Sequence, residues 1–317
     1  MEKASLREAY GRALLELGRR NENIVVLDAA LSGSTKTKMF AKEFPNRFFN
    51  MGIAEQDIIG TAAGFAASGK IPFASTFAIF ATGRAWEQIR QAVAYAGLNV
   101  KIVASYGGIT VGDDGDSHQA IEDIALMRIL PHMAVVVPAD AIEMEQVIYA
   151  ISEYQGPVYV RGSKVNFPVI YKNGHYHFQL GKGSIIREGK DITIIATGLM
   201  VHHALEAAKE LANCGIEARV INMSTIKPID RELIIESAKI TGAIVTAEEH
   251  LITGGLGSAV CEVLSESYPV PVKRIGIEDR FGISGKPEAL LAYFHLMPED
   301  IIEAAKRLLD GTVPLFV

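Results

Sequence analysis

Met51-Gly52-Ile53-Ala54-Glu55-Gln56-Asp57 is the stretch on which the fold turns. It follows Arg47-Phe48-Phe49-Asn50, a short extended run, and opens Ile58-Ile59-Gly60-Thr61-Ala62-Ala63-Gly64-Phe65-Ala66-Ala67. That small, apolar segment predicts a buried helix. Glu55 then stands at a helix start and points into a region poor in water. Taken alone, such a Glu reads as compensation of the helix dipole. Working outward, Ile71-Pro72-Phe73-Ala74-Ser75 predicts a strand, and a long helix is expected from about Phe77 to Ala96. Phe77 and Phe80 lie at helical spacing and, seen alone, would be core. Upstream, Leu6, Tyr10, Ala13, Leu14 and Leu17 give a surface helix over residues 5–19. Ile24-Val25-Val26-Leu27-Asp28 is a strand, and residues 29–37 form a small-residue loop at its carboxyl end, where α/β proteins place ligands. Ser34 or Thr35 in that loop would equally serve as a helix N-cap.

Downstream, a strand over residues 100–104 delivers Ser105-Tyr106-Gly107-Gly108-Ile109-Thr110-Val111-Gly112-Asp113-Asp114-Gly115-Asp116-Ser117-His118. The crowding of glycine, carboxylate and imidazole marks a loop, expected to enter a helix over 119–128. Residues 133–137 form a strand ending at Pro138, followed by a helix to Tyr154 and a last strand ending at Arg161. A guanidinium at such a strand end can fork a phosphate; it can also form a surface ion pair. Asn173-Gly174, followed by His175-Tyr176-His177-Phe178, predicts a hairpin in a linker, with both histidines facing solvent. Strands and helices then alternate again. Gly254-Gly255-Leu256-Gly257 opens a helix near 258–266, but it is not GxGxxG, and it reads as a packing turn. The polar residues His202, His203, Glu248, Glu249 and His250 read as capping or interface groups. The fold expected is α/β with two doubly wound domains: 1–165, a linker at 166–183, and 184–317.

A length of 317 residues suffices for two cores. With 49% hydrophobic and 21% charged residues the composition is that of a globular protein. A net charge of −6 without a basic block argues against a nucleic-acid partner. No apolar run reaches the length of a membrane span, and residues 1–5 carry no apolar signal core, so a cytoplasmic protein is expected. The two cysteines, Cys214 and Cys261, are expected as buried or half-buried thiols rather than a disulfide or metal site.

GIAEQ, then STFAIFATGRAWEQIRQ, then GITVGDDGDSHQAIEDIALMR resemble the pyrimidine-binding domain of transketolase. Over nearly its whole length the chain resembles the C-terminal subunit of a split, two-chain transketolase. The resemblance implies thiamine diphosphate as cofactor. Glu55 would bond the N1′ nitrogen of its pyrimidine and favour the imino tautomer that takes the thiazolium C2 proton; a carboxyl in an apolar site suits that exchange. Phe77 and Phe80 would line the pyrimidine pocket, with Phe80 stacked on the ring. His118 would lie near the reacting carbon as a proton donor or acceptor. Asp114 would meet a donor hydroxyl, Ser34 and Arg161 the sugar phosphate. Three positions depart from the family: Ala30 stands where an Asp is usual, Gly83 replaces a third pocket aromatic, and Tyr106 replaces a His. A phenol at Tyr106 can donate to a developing oxyanion on the substrate but is a poor base at neutral pH.

Enzymes of this class hold the diphosphate and Mg²⁺ with a Gly-Asp-Gly run followed some thirty residues later by Asn-Asn, and neither element occurs here. The expectation is therefore a partner, an N-terminal transketolase subunit, that carries the diphosphate domain and Mg²⁺. No metal site is expected in this chain, which would self-associate into a dimer or heterotetramer and transfer a two-carbon ketol unit between sugar phosphates. Alternatives are a subunit of a deoxyxylulose-phosphate-synthase-like enzyme, a 2-oxo acid dehydrogenase β chain, or a non-catalytic paralogue. Arg161 and the 114–119 segment favour the sugar transferase, because a 2-oxo acid enzyme needs no sugar-phosphate clamp.

Overall fold

Apolar strands rich in Val and Ile alternate with amphipathic helices, and in the computed structural model they sort into two sheets, each flanked by helices. Residues 2–172, 174 and 176–311 are described. The first sheet has seven strands, in the order Phe48–Asn50, Ile24–Asp28, Ile71–Phe77, Lys101–Ser105, Val158–Arg161, Ala134–Val136 and Thr225–Lys227. The first six are parallel. Ile24–Asp28 and Lys101–Ser105 are buried at every residue, as central parallel strands covered on both faces must be. The second sheet runs Val272–Ile277, Ile244–Leu251, Ile192–Ala196, Ala218–Asn222 and Ser184–Arg187, with only the last strand antiparallel. Two doubly wound α/β units are thus present, as expected.

The two units are stitched together. Thr225–Lys227 leaves the second unit and pairs antiparallel with Ala134–Val136, closing the edge of the first sheet. Val137 N–H donates to the Ser224 carbonyl at 2.7 Å. Buried Glu143 accepts from Asn222 Nδ2 at 2.9 Å and from the Ala139 N–H at 2.6 Å. Burial raises its pKa above the ordinary carboxylate value. The linker joins this network: Tyr176 donates to Glu143, and its ring stacks on Tyr171 at 3.7 Å.

Four local expectations change. Phe77 is the last residue of the strand Ile71–Phe77, not the start of a helix, because it pairs with Ser105. The helical run beyond it contains π-type turns at Phe80–Arg84 and Ile89–Tyr95, a feature often found at functional sites. The next helix is Asp123–Arg128, not 119–128, since Ala120 bridges to Gly107 and its carbonyl accepts from Gly108. Among the described residues no strand pair forms between 169 and 183; Asn173 and His175, named in the hairpin expectation, lie outside them, and Tyr176 turns inward instead. Cys214 is exposed and Cys261 half-buried, both as free thiols.

Candidate functional site

Parallel strands end on one side of the sheet, and their carboxyl ends deliver the loops after Asp28, Phe77, Ser105 and Arg161 to a common region. Buried Asp28 shapes the first loop. It accepts from the Leu31 N–H at 2.6 Å and from the hydroxyls of Thr35 and Thr37 at 2.7 and 2.8 Å. Burial raises the Asp28 pKa, and these bonds oppose the rise. Ser34 lies on the short turn Ser32–Thr35 that this carboxylate organises.

Glu55 is the first residue of the helix Glu55–Ala67 and only 2% exposed. Its Oε2 accepts from Arg84 Nη1 at 2.7 Å. Arg84 is half exposed, and its guanidinium also lies 4.6 Å from the Phe80 ring centroid. A planar N–H donor therefore bonds the carboxylate and covers the aromatic face at once. An aminopyrimidine presents the same two features, a nitrogen for the carboxylate and a flat face for Phe80, so these residues fit such a heterocycle once Arg84 swings out. With one partner this exposed, displacing the pair costs on the order of 1 kcal/mol or less.

Phe77, Phe80, Tyr106 and His118 come together beside Glu55. Phe77 stacks on Tyr106 at 3.8 Å, and His118 sits edge-on to Phe80 at 5.2 Å. Stacking leaves the Phe77 ring facing Tyr106, whereas the Phe80 face carries the half-exposed Arg84. Tyr106 adopts φ +66°, a left-handed conformation rare for a bulky side chain. His118 Nδ1 lies 3.1 Å from the Ser117 hydroxyl. Asp114 is held by Lys164, whose ammonium donates to its Oδ2 at 2.9 Å and to the Val111 carbonyl at 2.9 Å.

Arg161, the candidate phosphate clamp, is bonded within the chain. Its side chain is buried, with Nε donating to Asp123 Oδ2 at 2.8 Å and Nη2 to the carbonyls of Ala120 and Glu249 at 2.9 Å each. Burial works against its charge, but Asp123 and Glu249 more than offset this and raise its pKa. Glu249 Oε1 in turn accepts from the Thr110 N–H at 2.7 Å. The loop before Asp123 is thus hung from the second unit, and Gln119 Nε2 adds a bond to the Ile283 carbonyl at 2.9 Å. Glu248 occupies the glycine-rich turn: its carboxylate accepts from Leu256 N and Gly257 N at 2.7 and 2.8 Å. A Cβ on Gly255 would fall 1.9 Å from Glu248 Oε2, so the turn is filled from within, as a packing turn should be. Burial raises the Glu248 pKa to about 7, while burial lowers that of neighbouring His250 to about 4.

Gly108 gives this loop a direct test. Its φ is +82°, and a Cβ there would lie 2.2 Å from Glu249 Oε1. Gly108→Ala should destabilise the protein by about 1–3 kcal/mol, seen as an earlier thermal melt, whereas Gly52→Ala, with open space around it, should cost less.

Arg7, Arg84, Asp123 and Lys164 escape a reading of the sequence alone. Arg84 lies inside the quoted GRAWEQ run and Lys164 three residues past Arg161, so proximity is the available signal. Glu249, read as a capping or interface group, does accept the Thr110 N–H across the two units. Among the described residues no group of three or more His, Cys, Asp or Glu side chains is placed to hold a metal ion, and no helix is long and apolar enough to cross a membrane.

The family profile described as "Transketolase, pyrimidine binding domain" matches residues 2–169, and "Transketolase, C-terminal domain" matches 181–301. A solved structure described as a split gene transketolase, inactive beta4 tetramer, is 54% identical, with a TM-score of 0.91 over 98% of this chain and 99% of that one. The 6-deoxy-6-sulfo-D-fructose transketolase subunit of Clostridium sp. strain MSTE9 is 43% identical over 98% of this chain and 96% of its own length. An apulose-4-phosphate transketolase subunit of Phocaeicola vulgatus is 42% identical over 94% of this chain and 96% of its own length.

Proposed function

Because the chain belongs to the transketolase family, we propose that it is one subunit of a two-subunit transketolase acting on ketoses that end in an anionic group. The carrying observation is Glu55, a buried carboxylate at a helix start, which shares the half-exposed Arg84 guanidinium with the face of Phe80. The family depends on thiamine diphosphate in general, and that cofactor supplies a nucleophilic carbon for breaking and making a carbon–carbon bond beside a ketone. Glu55 holds a proton at the pyrimidine nitrogen, and Phe80 orients the ring from its face, with Phe77 behind. His118, edge-on to Phe80, moves a proton to or from the sugar oxygen at the reacting carbon. Asp114 accepts a hydrogen bond from a neighbouring sugar hydroxyl, and Ser34 and Tyr106 line the path toward the far end of the sugar. A second polypeptide carries the diphosphate domain and Mg²⁺. The names of the two subunits at 42–43% identity, one for a sulfonated and one for a phosphorylated sugar, support an anionic ketose as substrate.

The test is reconstitution. The isolated chain, given thiamine diphosphate, Mg²⁺ and a ketose phosphate with an aldose acceptor, should show no turnover. Adding an N-terminal transketolase subunit should restore ketol transfer, followed by chromatography of the sugar products. Robust turnover by the isolated chain would sink the two-subunit reading.

A further inference from the structure

His118 stands on a turn that does little to hold it. The turn Asp116–His118 is three residues long, and none of the three is buried. The imidazole meets the neighbouring Ser117 hydroxyl at 3.1 Å and stands edge-on to Phe77 and Phe80. The anchors lie just outside the turn. Gln119 is 3% exposed, and its Nε2 donates to the Ile109 carbonyl at 3.3 Å and to the Ile283 carbonyl at 2.9 Å. A primary amide has two N–H groups. Both are used, one within the loop at Ile109 and one on the second unit. The amide oxygen is buried without a hydrogen-bond partner and is pressed against Gly282, where a Cβ would lie 1.7 Å from it. At the other end of the turn, a Cβ on Gly115 would lie 2.7 Å from the Ser284 hydroxyl. Residues 282–284 of the second unit thus touch both ends of a turn that belongs to the first.

We propose that Gln119 is a positioning residue for His118: it fixes the imidazole against Phe80 by tying the end of its turn to the second unit. This rests on the ketol-transfer reading above. The second unit then acts on proton transfer without touching the sugar. A carboxylate in place of the amide has no N–H to give and sets its charge against two carbonyl oxygens. A Met fills the volume but leaves both carbonyls unmet. The lever is short, because Gln119 directly follows His118 in the chain. A shift of the amide moves the imidazole, and a misplacement of about 1 Å can cost on the order of 10²-fold in rate.

The experiment compares two variants of the reconstituted two-subunit enzyme, well below the melt of each. Gln119→Met removes the amide. Gly282→Ala acts from the second unit: its methyl meets the far end of the Gln119 side chain, so the amide is displaced while every residue of the first unit is kept. Each should lower kcat by about 10–100-fold, with KM for a ketose phosphate within a few-fold. In a His118→Ala background, either substitution should cost less than about two-fold more, because residues that act as a unit are not additive. The full loss repeated in that background, a rise in KM with kcat held, or wild-type kcat in either variant would overturn the proposal. Should the wild-type complex transfer no ketol unit, hydrogen–deuterium exchange of the full chain decides separately. The His118 and Gln119 N–H groups donate to the Gly115 and Asp116 carbonyls within the turn. In both variants they should exchange about 10-fold faster or more, with the strand Ile24–Asp28 unchanged. That result upholds the hold of Gln119 on the His118 turn and rejects the transfer reading. Exchange indifferent to both substitutions rejects the role of Gln119.

Discussion

Glu55→Gln should lower kcat of the reconstituted enzyme by about 10²–10⁴-fold, the range for loss of a positioned acid–base group. KM for the sugar should stay within a few-fold, because in the proposed function the substituted group acts on the cofactor and not on the sugar. Gln keeps the length of Glu and still offers a carbonyl oxygen to Arg84, so the helix start should hold. The ion pair lost has one partner half in solvent, and its contribution to stability is on the order of 1 kcal/mol or less. The melting temperature should therefore barely move while turnover collapses. Unchanged turnover would remove Glu55 from the chemistry. A collapse of both would make it a structural residue, the dipole-compensating Glu that the local sequence also permits.

Arg161→Met makes the reverse prediction, a large stability loss. The substitution leaves Asp123, already bonded by the Tyr159 hydroxyl at 2.6 Å, as a buried carboxylate without its cation. Breaking one side of a buried pair costs about 3–5 kcal/mol, which for a unit of this size lowers the melting temperature by roughly ten degrees or more. The double substitution Arg161→Met with Asp123→Asn should recover part of the loss, since the two residues are coupled. A phosphate clamp would behave otherwise: KM for the sugar phosphate would rise with the melt unchanged and with no rescue by Asp123→Asn.

The contrast between these two residues shows what can be read from the chain. Glu55 is legible because a helix start and the apolar run behind it are local, set by residues within a dozen positions. Phe80 and His118 are legible as members of ordered motifs, and the structure brings both to Glu55's side of the sheet. The bonds of Arg161 are not legible because its partners are not local. Asp123 lies on another element, and Glu249 arrives from the second unit, 88 positions along the chain. A strand-end Arg looks the same in sequence whether it faces solvent or a buried carboxylate. Phe77 misleads because an aromatic at helical spacing can also close a strand, and only its pairing with Ser105 decides which. The glycine-rich turn near 254 is legible as packing, although the residue that fills it, Glu248, cannot be deduced from its own position.

The edge strand Thr225–Lys227 has a mechanical consequence. Many two-lobed proteins breathe by bending at the connection between lobes. Here one lobe contributes a hydrogen-bonded edge to the other's sheet, and Glu143, Asn222 and Tyr176 rivet the same seam, so a clamshell motion would have to tear a sheet and leave buried polar groups without partners. Access to the pocket beside Glu55 must then come from the exterior rim, where half-exposed Arg84 lies, and not from a parting of the lobes.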